Sequence, residues 1–185
     1  MSPDDLEKLI HARTSAMTID PQRPVDPSII GRLADAAQAA PNHRTTRPLR
    51  VGVVRGVARA RFGGVVADAM QQAGDEARKV DKARTKYLRA PVVLVVAAAR
   101  GASDLETEEN RYAVAAGIQN MLLMIESFGL TALWGSPPKG TNDAITGFCG
   151  FDATDHVMAV IYLGWGTADR EPRTRPEPVV RHIEQ

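Results

Sequence analysis

The stretch PVVLVVAAA at residues 91–99 limits the fold more than any other part of the chain. It has no polar position with which to face water, so it is expected as a buried strand, and it falls far short of the roughly 20 apolar residues that cross a bilayer. Three more segments have strand character: LRVGVV from Leu49, LTALW from Leu130, and HVMAVIYLGWG from His156, a final core strand that exits through Gly164 and Gly166.

Helical periodicity fills the intervals. Ser2 can cap a first helix with Pro3 in its opening turn, Asp4 and Asp5 complementing the dipole, and Leu6, Leu9 and Ile10 on one face; it runs out near Arg13. Asp26 and Pro27 repeat that signal, and Ile29, Ile30, Leu33, Ala36, Ala37 and Ala40 hold a stripe until Pro41. A helix is expected from about Ala58 to Gln72 with Phe62, Val65, Val66, Ala69 and Met70 inward. Val114, Ile118, Met121, Leu122 and Ile125 mark a long core helix that Gly129 ends in a left-handed cap, and Thr141 begins a short helix through Ile145 and Phe148. The charged stretch at residues 74–90 reads as a solvated helix or lid. Residues 167–185 are proline-rich and aperiodic, so neither helix nor central strand is expected; Val179, Val180 and Ile183 favour an arm laid across another surface.

At 185 residues and 44% hydrophobic, the chain is expected to form one domain over residues 1–185, with its own core. The formal charge of +1 supplies no global field for nucleic acid or an anionic membrane. Cys149 is the only cysteine, which rules out an internal disulfide framework and points to a reducing cytoplasm; the acidic N-terminus does not read as a signal peptide. Its place after Phe148 favours a core role over a nucleophilic one. His11, His43, His156 and His182 are not at metal-ligand spacings, so no metal is expected, and no nucleophile elbow, phosphate loop or dinucleotide fingerprint occurs.

What remains is a set of basic and hydroxyl residues at element ends. Arg13 and Thr14 follow the first helix, His43, Arg44 and Arg47 occupy a helix-to-strand loop, Ser136 follows a strand, and Arg173 and Arg175 lie in the tail. A loop with that much positive charge is suited to an anion.

Six segments in order, LIHARTS, AAPNHRTTRPLRV, DKARTKYLRAPVVLVVAA, AAGIQNMLLMIESFGLTALWGS, VIYLGWG and PRTRP, resemble the flavin-dependent nitroreductases, in particular their short bacterial branch. The resemblance runs nearly end to end. It implies an α+β, three-layer α/β/α fold with a mostly antiparallel central sheet flanked by helices. It also implies an intertwined homodimer in which the arm, about residues 167–185, packs on the partner subunit. FMN would lie at the interface and NADH or NADPH would be the electron donor. The implied reaction is ping-pong hydride transfer through FMN to a small-molecule acceptor such as a nitroaromatic or quinone, with no catalytic side chain. By the same resemblance Arg13 and Thr14 reach the FMN phosphate and ribityl chain, Arg173 and Arg175 meet the phosphate, and His43 contacts FMN. Trp134, Gly135 and Ser136 pass the ring or its chain.

Departures from the family pattern are informative. Ala12 and Ala16 stand where arginines are usual, and Arg47 and Leu49 replace a neutral residue and a tryptophan. Either Arg44, Arg47 or Arg50 takes over the missing charge, with Arg47 the expected cation beside the flavin, or cofactor binding is weakened or altered. A flavin carrier with little turnover, and a family member with a degraded site, are therefore the alternative readings.

Overall fold

The computed structural model of the protein describes residues 2–16, 18–168 and 174–184. The apolar run becomes β2 (Val92–Ala98), buried along its whole length. It is paired antiparallel on both sides, to β1 (Leu49–Arg55) and to β4 (His156–Gly164), and β3 (Thr131–Gly135) pairs antiparallel with β4 at the far edge. The strand order is β1-β2-β4-β3, with one register shift between Val96 and Ala97.

Side chains alternate across a strand, so β2 feeds two cores. Val92, Leu94, Val96 and Ala98 pack with α2 (Pro27–Gln38) and α5 (Asp104–Ser127). Val93, Val95 and Ala97 pack with α3 (Ala58–Gln72), α4 (Ala77–Lys86) and α6 (Asn142–Cys149). The three-layer arrangement is thus a consequence of one strand that has no polar face. α5 ends as expected in a left-handed Gly129 with φ 68°. On α3 the burial is shifted slightly from the expected stripe: Gly63 and Ala67 are buried with Phe62, Val66 and Met70, while Val65 and Ala69 are half-buried. The charged stretch at residues 74–90 is a helix whose Val80 and Ala83, with Tyr87 just beyond, are buried in the second core.

α1 (Pro3–Ala12) has the predicted capping box, with Ser2 Oγ accepting from Asp5 N and Asp5 Oδ2 accepting from Ser2 N. It buries no residue completely, and Leu6 and Ile10 stay more than two-fifths exposed. β1 begins, β2 ends and β4 begins at one end of the sheet, because Leu49 faces Ala98 and Ala98 faces His156; β3 points toward that end but stops opposite Val160, in the middle of β4. The loop before β1 and the exit from β3 therefore lie on opposite edges, three strand spacings or about 14 Å apart across the sheet and further offset along the strands.

Candidate functional site

The loop into β1 is held in an unfavourable conformation. Arg44, Thr45 and Arg47 have φ of 56°, 52° and 50°, in the left-handed region that costs a residue with a side chain about 1–2 kcal/mol each. A polar network fixes them. Asn42 Oδ1 accepts from Arg47 N at 2.8 Å and its Nδ2 donates to Thr46 Oγ1 at 2.9 Å. Thr46 Oγ1 donates to Asn110 Oδ1 at 2.6 Å, and Asn110 Nδ2 donates to the Ala99 carbonyl at 3.1 Å. Asn110 is 2% exposed, so the chain of bonds ties the loop to the end of β2 through a buried residue of α5. The preceding residue on that helix, Glu109, places Oε1 3.0 Å from His43 Nδ1.

Arg50 is differently committed: its Nη1 donates to the Arg47 and Leu49 carbonyls, and its Nε lies 3.7 Å from the buried Asp155 carboxylate. It braces the loop, leaving Arg44 and Arg47 as the exposed cations there. Beneath the loop is a cavity of about 180 Å³, lined by Asn42, Thr45, Arg47, Leu49 and, from α5, Ala113 and Val114.

A second group gathers along β3. Arg13 is the C-cap of α1, and Thr14 is buried. The segment after them runs beside β3 and the end of β4, with Ala16 N donating to Ala132 O, Ile19 bridging Gly166 and Asp20 N donating to Trp165 O. Arg175 reaches the same place, donating from Nη1 to the His11 carbonyl and from Nη2 to the Arg13 carbonyl. Trp134, Gly135 and Ser136 lie at the exit of β3, with Trp134 37% exposed. Arg173 lies outside the described residues. The fold thus brings Arg13, Thr14 and Arg175 together beside β3, but within one chain it keeps them and Trp134 on the opposite edge from His43 and Arg47.

Among the other aromatic residues, Tyr87 is core, edge-on to Phe62 at 4.6 Å and stacked on Tyr162 at 5.9 Å. Burial raises the pKa of the Tyr87 phenol strongly and that of Tyr162 to about 12. Trp165 is bonded to the Pro24 carbonyl and covered by Arg23, while Tyr112 is exposed and hydrogen-bonded to Glu108. Trp134 is left as the ring nearest the candidate residues of β3.

One feature, whose last residue lines a cleft with Leu133 of β3, escaped the sequence reading. Lys82, Lys86 and Arg89 stand at i, i+4 and i+7 across the end of α4 and the turn that follows it. The half-buried Lys86 ammonium is held below the ordinary lysine range by burial, then by Lys82 and Arg89. The i, i+4, i+7 spacing was the available signal, hidden because charged residues flank it throughout.

The α/β/α sandwich carries a basic, strained loop at one sheet edge and Arg13, Thr14 and Arg175 at the other. The family model for the nitroreductase family matches residues 10–165, and the chain belongs to that family. The chain is 25% identical over 162 residues to YdjA of Escherichia coli (strain K12), a protein named for NAD(P)H nitroreductase activity, covering 87% of both chains. A nitroreductase-like family protein from Bacillus cereus superposes with a TM-score of 0.83 at 20% identity, over 96% of this chain and 94% of that one. A nitroreductase with bound FMN from Bacteroides fragilis gives 0.78 at 18% identity, over 99% and 100%. The FMN-dependent nitroreductase NfnB from Mycobacterium smegmatis, in complex with NADPH, gives 0.72 at 17%, over 89% and 88%.

Proposed function

We propose that the protein is an FMN-dependent oxidoreductase that passes hydride from NADH or NADPH to a nitroaromatic, quinone or similar acceptor. The observation that carries this reading is the loop at residues 42–47: three left-handed side-chain-bearing residues, clamped by a buried network, above a cavity at the β1 edge. Strain of this kind persists where surrounding structure enforces it, and binding sites are where it gathers. The solved relatives with FMN and with NADPH support the choice of ligands.

The residues present fit FMN. Its phosphate needs forked, charge-assisted donors, and Arg175 reaches the Arg13 carbonyl, with the hydroxyl-bearing Thr14 next in the chain. The cavity under the loop is by itself too small: about 180 Å³, against the 300 Å³ or more typical of sites for ligands of this size. A homodimer completes the site in this reading, setting the His43–Arg47 loop of one subunit against the β3 edge of the other. The apolar residues left exposed on α1 and on the arm, Leu6, Ile10, Val179, Val180 and Ile183, would supply contacts for that dimer.

Bound FMN would supply the hydride-accepting and hydride-donating chemistry, so the chain needs no acid–base residue of its own. Arg13, Arg175 and Thr14 would anchor the phosphate and chain. Trp134 would give an aromatic surface for a ring, and Arg47 would supply a permanent positive charge to offset the negative charge that FMN gains on reduction. Donor and acceptor use one space in turn, giving ping-pong kinetics.

A flavin carrier with little turnover is the second reading, favoured by Ala12 and Ala16 in place of arginines. Purification with a flavin spectrum, mass identification of released cofactor and steady-state oxidation of NADH or NADPH with a quinone separate the two. The enzyme binds FMN and consumes reductant, whereas the carrier binds FMN and does not. Protein that takes up no FMN overturns both. No described helix is long and apolar enough to cross a membrane, and the single cysteine suits a reducing cytoplasm, the compartment we assign.

A further inference from the structure

We propose that Arg89 is a flavin-facing cation that takes over the charge missing at Ala16; the inference rests on the FMN reading above. Ala16 is tied to the β3 edge by its hydrogen bond to Ala132 O. The small cleft beside it is lined by Ile19, Leu133, Tyr162 and Arg89. Leu133 and Tyr162 are cross-strand partners, so Arg89 reaches over that face of β3 and β4 to the segment that carries Arg13 and Thr14. The cleft, at about 10 Å³, holds no ligand itself; its relevance is the guanidinium at the rim.

The electrostatics of the surroundings point the same way. Arg89, Lys86 and Lys82 form one cationic row whose side chains make no hydrogen bond or ion pair with a described residue; Lys86 lies over the Tyr87 ring at 4.9 Å and Arg89 acts on the Tyr162 phenol. Like charges three and four residues apart repel. Chains ordinarily relieve such a row with a carboxylate. Here the last residue of the row, Arg89, lines the cleft beside Ala16 and Leu133, so the local field there favours an anion along the β3 edge. Arginine remains charged at every physiological pH and offers a planar fork for phosphate or for the carbonyls of a ring.

The test is FMN and riboflavin affinity, measured by flavin fluorescence on the purified full chain at several salt concentrations. Arg89→Ala is expected to weaken FMN binding about tenfold and flatten its salt dependence. Arg89→Lys should recover most of the affinity. Ala16→Arg in the Arg89→Ala background should also restore it, because the charge returns to the neighbouring position. Arg78→Ala, on the exposed part of α4, is the control and should change nothing. A loss confined to FMN places the guanidinium at the phosphate; an equal loss with riboflavin places it at the ring, and both support the proposal. Unchanged FMN affinity and salt dependence in Arg89→Ala overturns it while leaving the FMN reading intact. A loss that is rescued neither by Arg89→Lys nor by Ala16→Arg, accompanied by a lowered Tm, assigns Arg89 to folding and also overturns it. Wild-type protein that takes up no FMN removes both readings.

Discussion

Thr46 is the residue on which the loop depends most. Its hydroxyl accepts from Asn42 and donates to Asn110, so Thr46→Val keeps the shape and leaves the buried Asn110 Oδ1 without that donor. An orphaned buried acceptor costs about 1–3 kcal/mol, comparable to the strain of one or two left-handed residues. Amide exchange in residues 42–47 is therefore expected to accelerate in Thr46→Val, and FMN affinity to fall with it. Exchange at wild-type rates would show that the turn holds itself. Arg47→Ala removes the charge but leaves the Asn42 bond, which is to the backbone. We expect a more negative flavin reduction potential and weaker FMN binding; a variant unchanged in both denies Arg47 its role. Cys149 behaves as its neighbours dictate: burial raises its thiol to about 11, so at pH 8 only about one molecule in a thousand carries the thiolate. Iodoacetamide should label the native protein slowly and the unfolded protein fast, and rapid native labelling would refute the packed-core assignment. At this scale the sequence exposed residue types more readily than commitments. Nothing in the order of Arg44, Arg47 and Arg50 reveals that the last is spent on two carbonyls and Asp155, because Asp155 lies 105 residues further along the chain.

Elements were legible wherever a single physical requirement dominated. β2 could be read because an apolar run with no polar face must be covered on both sides, and α1 because its cap chemistry is local. The order β1-β2-β4-β3 could not, since antiparallel pairing leaves no trace in either partner alone. Close approach of helices was equally hidden. Gly117 on α5 lets the backbone of α2 come so near that a Cβ there would meet the Ala37 carbonyl oxygen at 2.5 Å, and a carbonyl in a helix cannot step aside as a side chain does. Gly117→Ala must therefore separate α2 from α5, at about 1–3 kcal/mol, or a Tm lower by roughly 2–10 °C for a chain of this size. The loop is bonded to α5 through Asn110, so the same variant should loosen it. Calorimetry and exchange on one sample check both, and an unchanged Tm would mean that the helices slide apart without cost.

At the scale of the whole molecule, the candidate site was legible as a list but not as a place. His43 and Arg47 sit at the β1 edge, Arg13, Thr14, Trp134 and Arg175 at the β3 edge, and two intervening strands keep them apart within one chain. The residues of a single chain do not fix whether the two edges meet, because such a meeting would belong to an assembly. The arm offers the means to test for it. Arg175 binds the carbonyls of His11 and Arg13, while beyond it Val179, Val180 and Ile183 are 65–89% exposed, left uncovered by the described residues of their own chain. Those apolar residues would gain most from a partner surface, and Arg175 would be positioned by the same contact. Two truncations separate the roles. Ending the chain after Glu177 retains Arg175 and removes the apolar part, so the dimer should weaken and FMN affinity should become dependent on protein concentration. Ending it after Thr174 also removes the guanidinium, so FMN affinity should fall further even at concentrations where dimers persist. Sedimentation velocity with flavin absorbance follows subunits and cofactor together. FMN travelling with a monomer of the longer truncation, at full affinity, would show that one chain suffices and that the two edges never needed to meet.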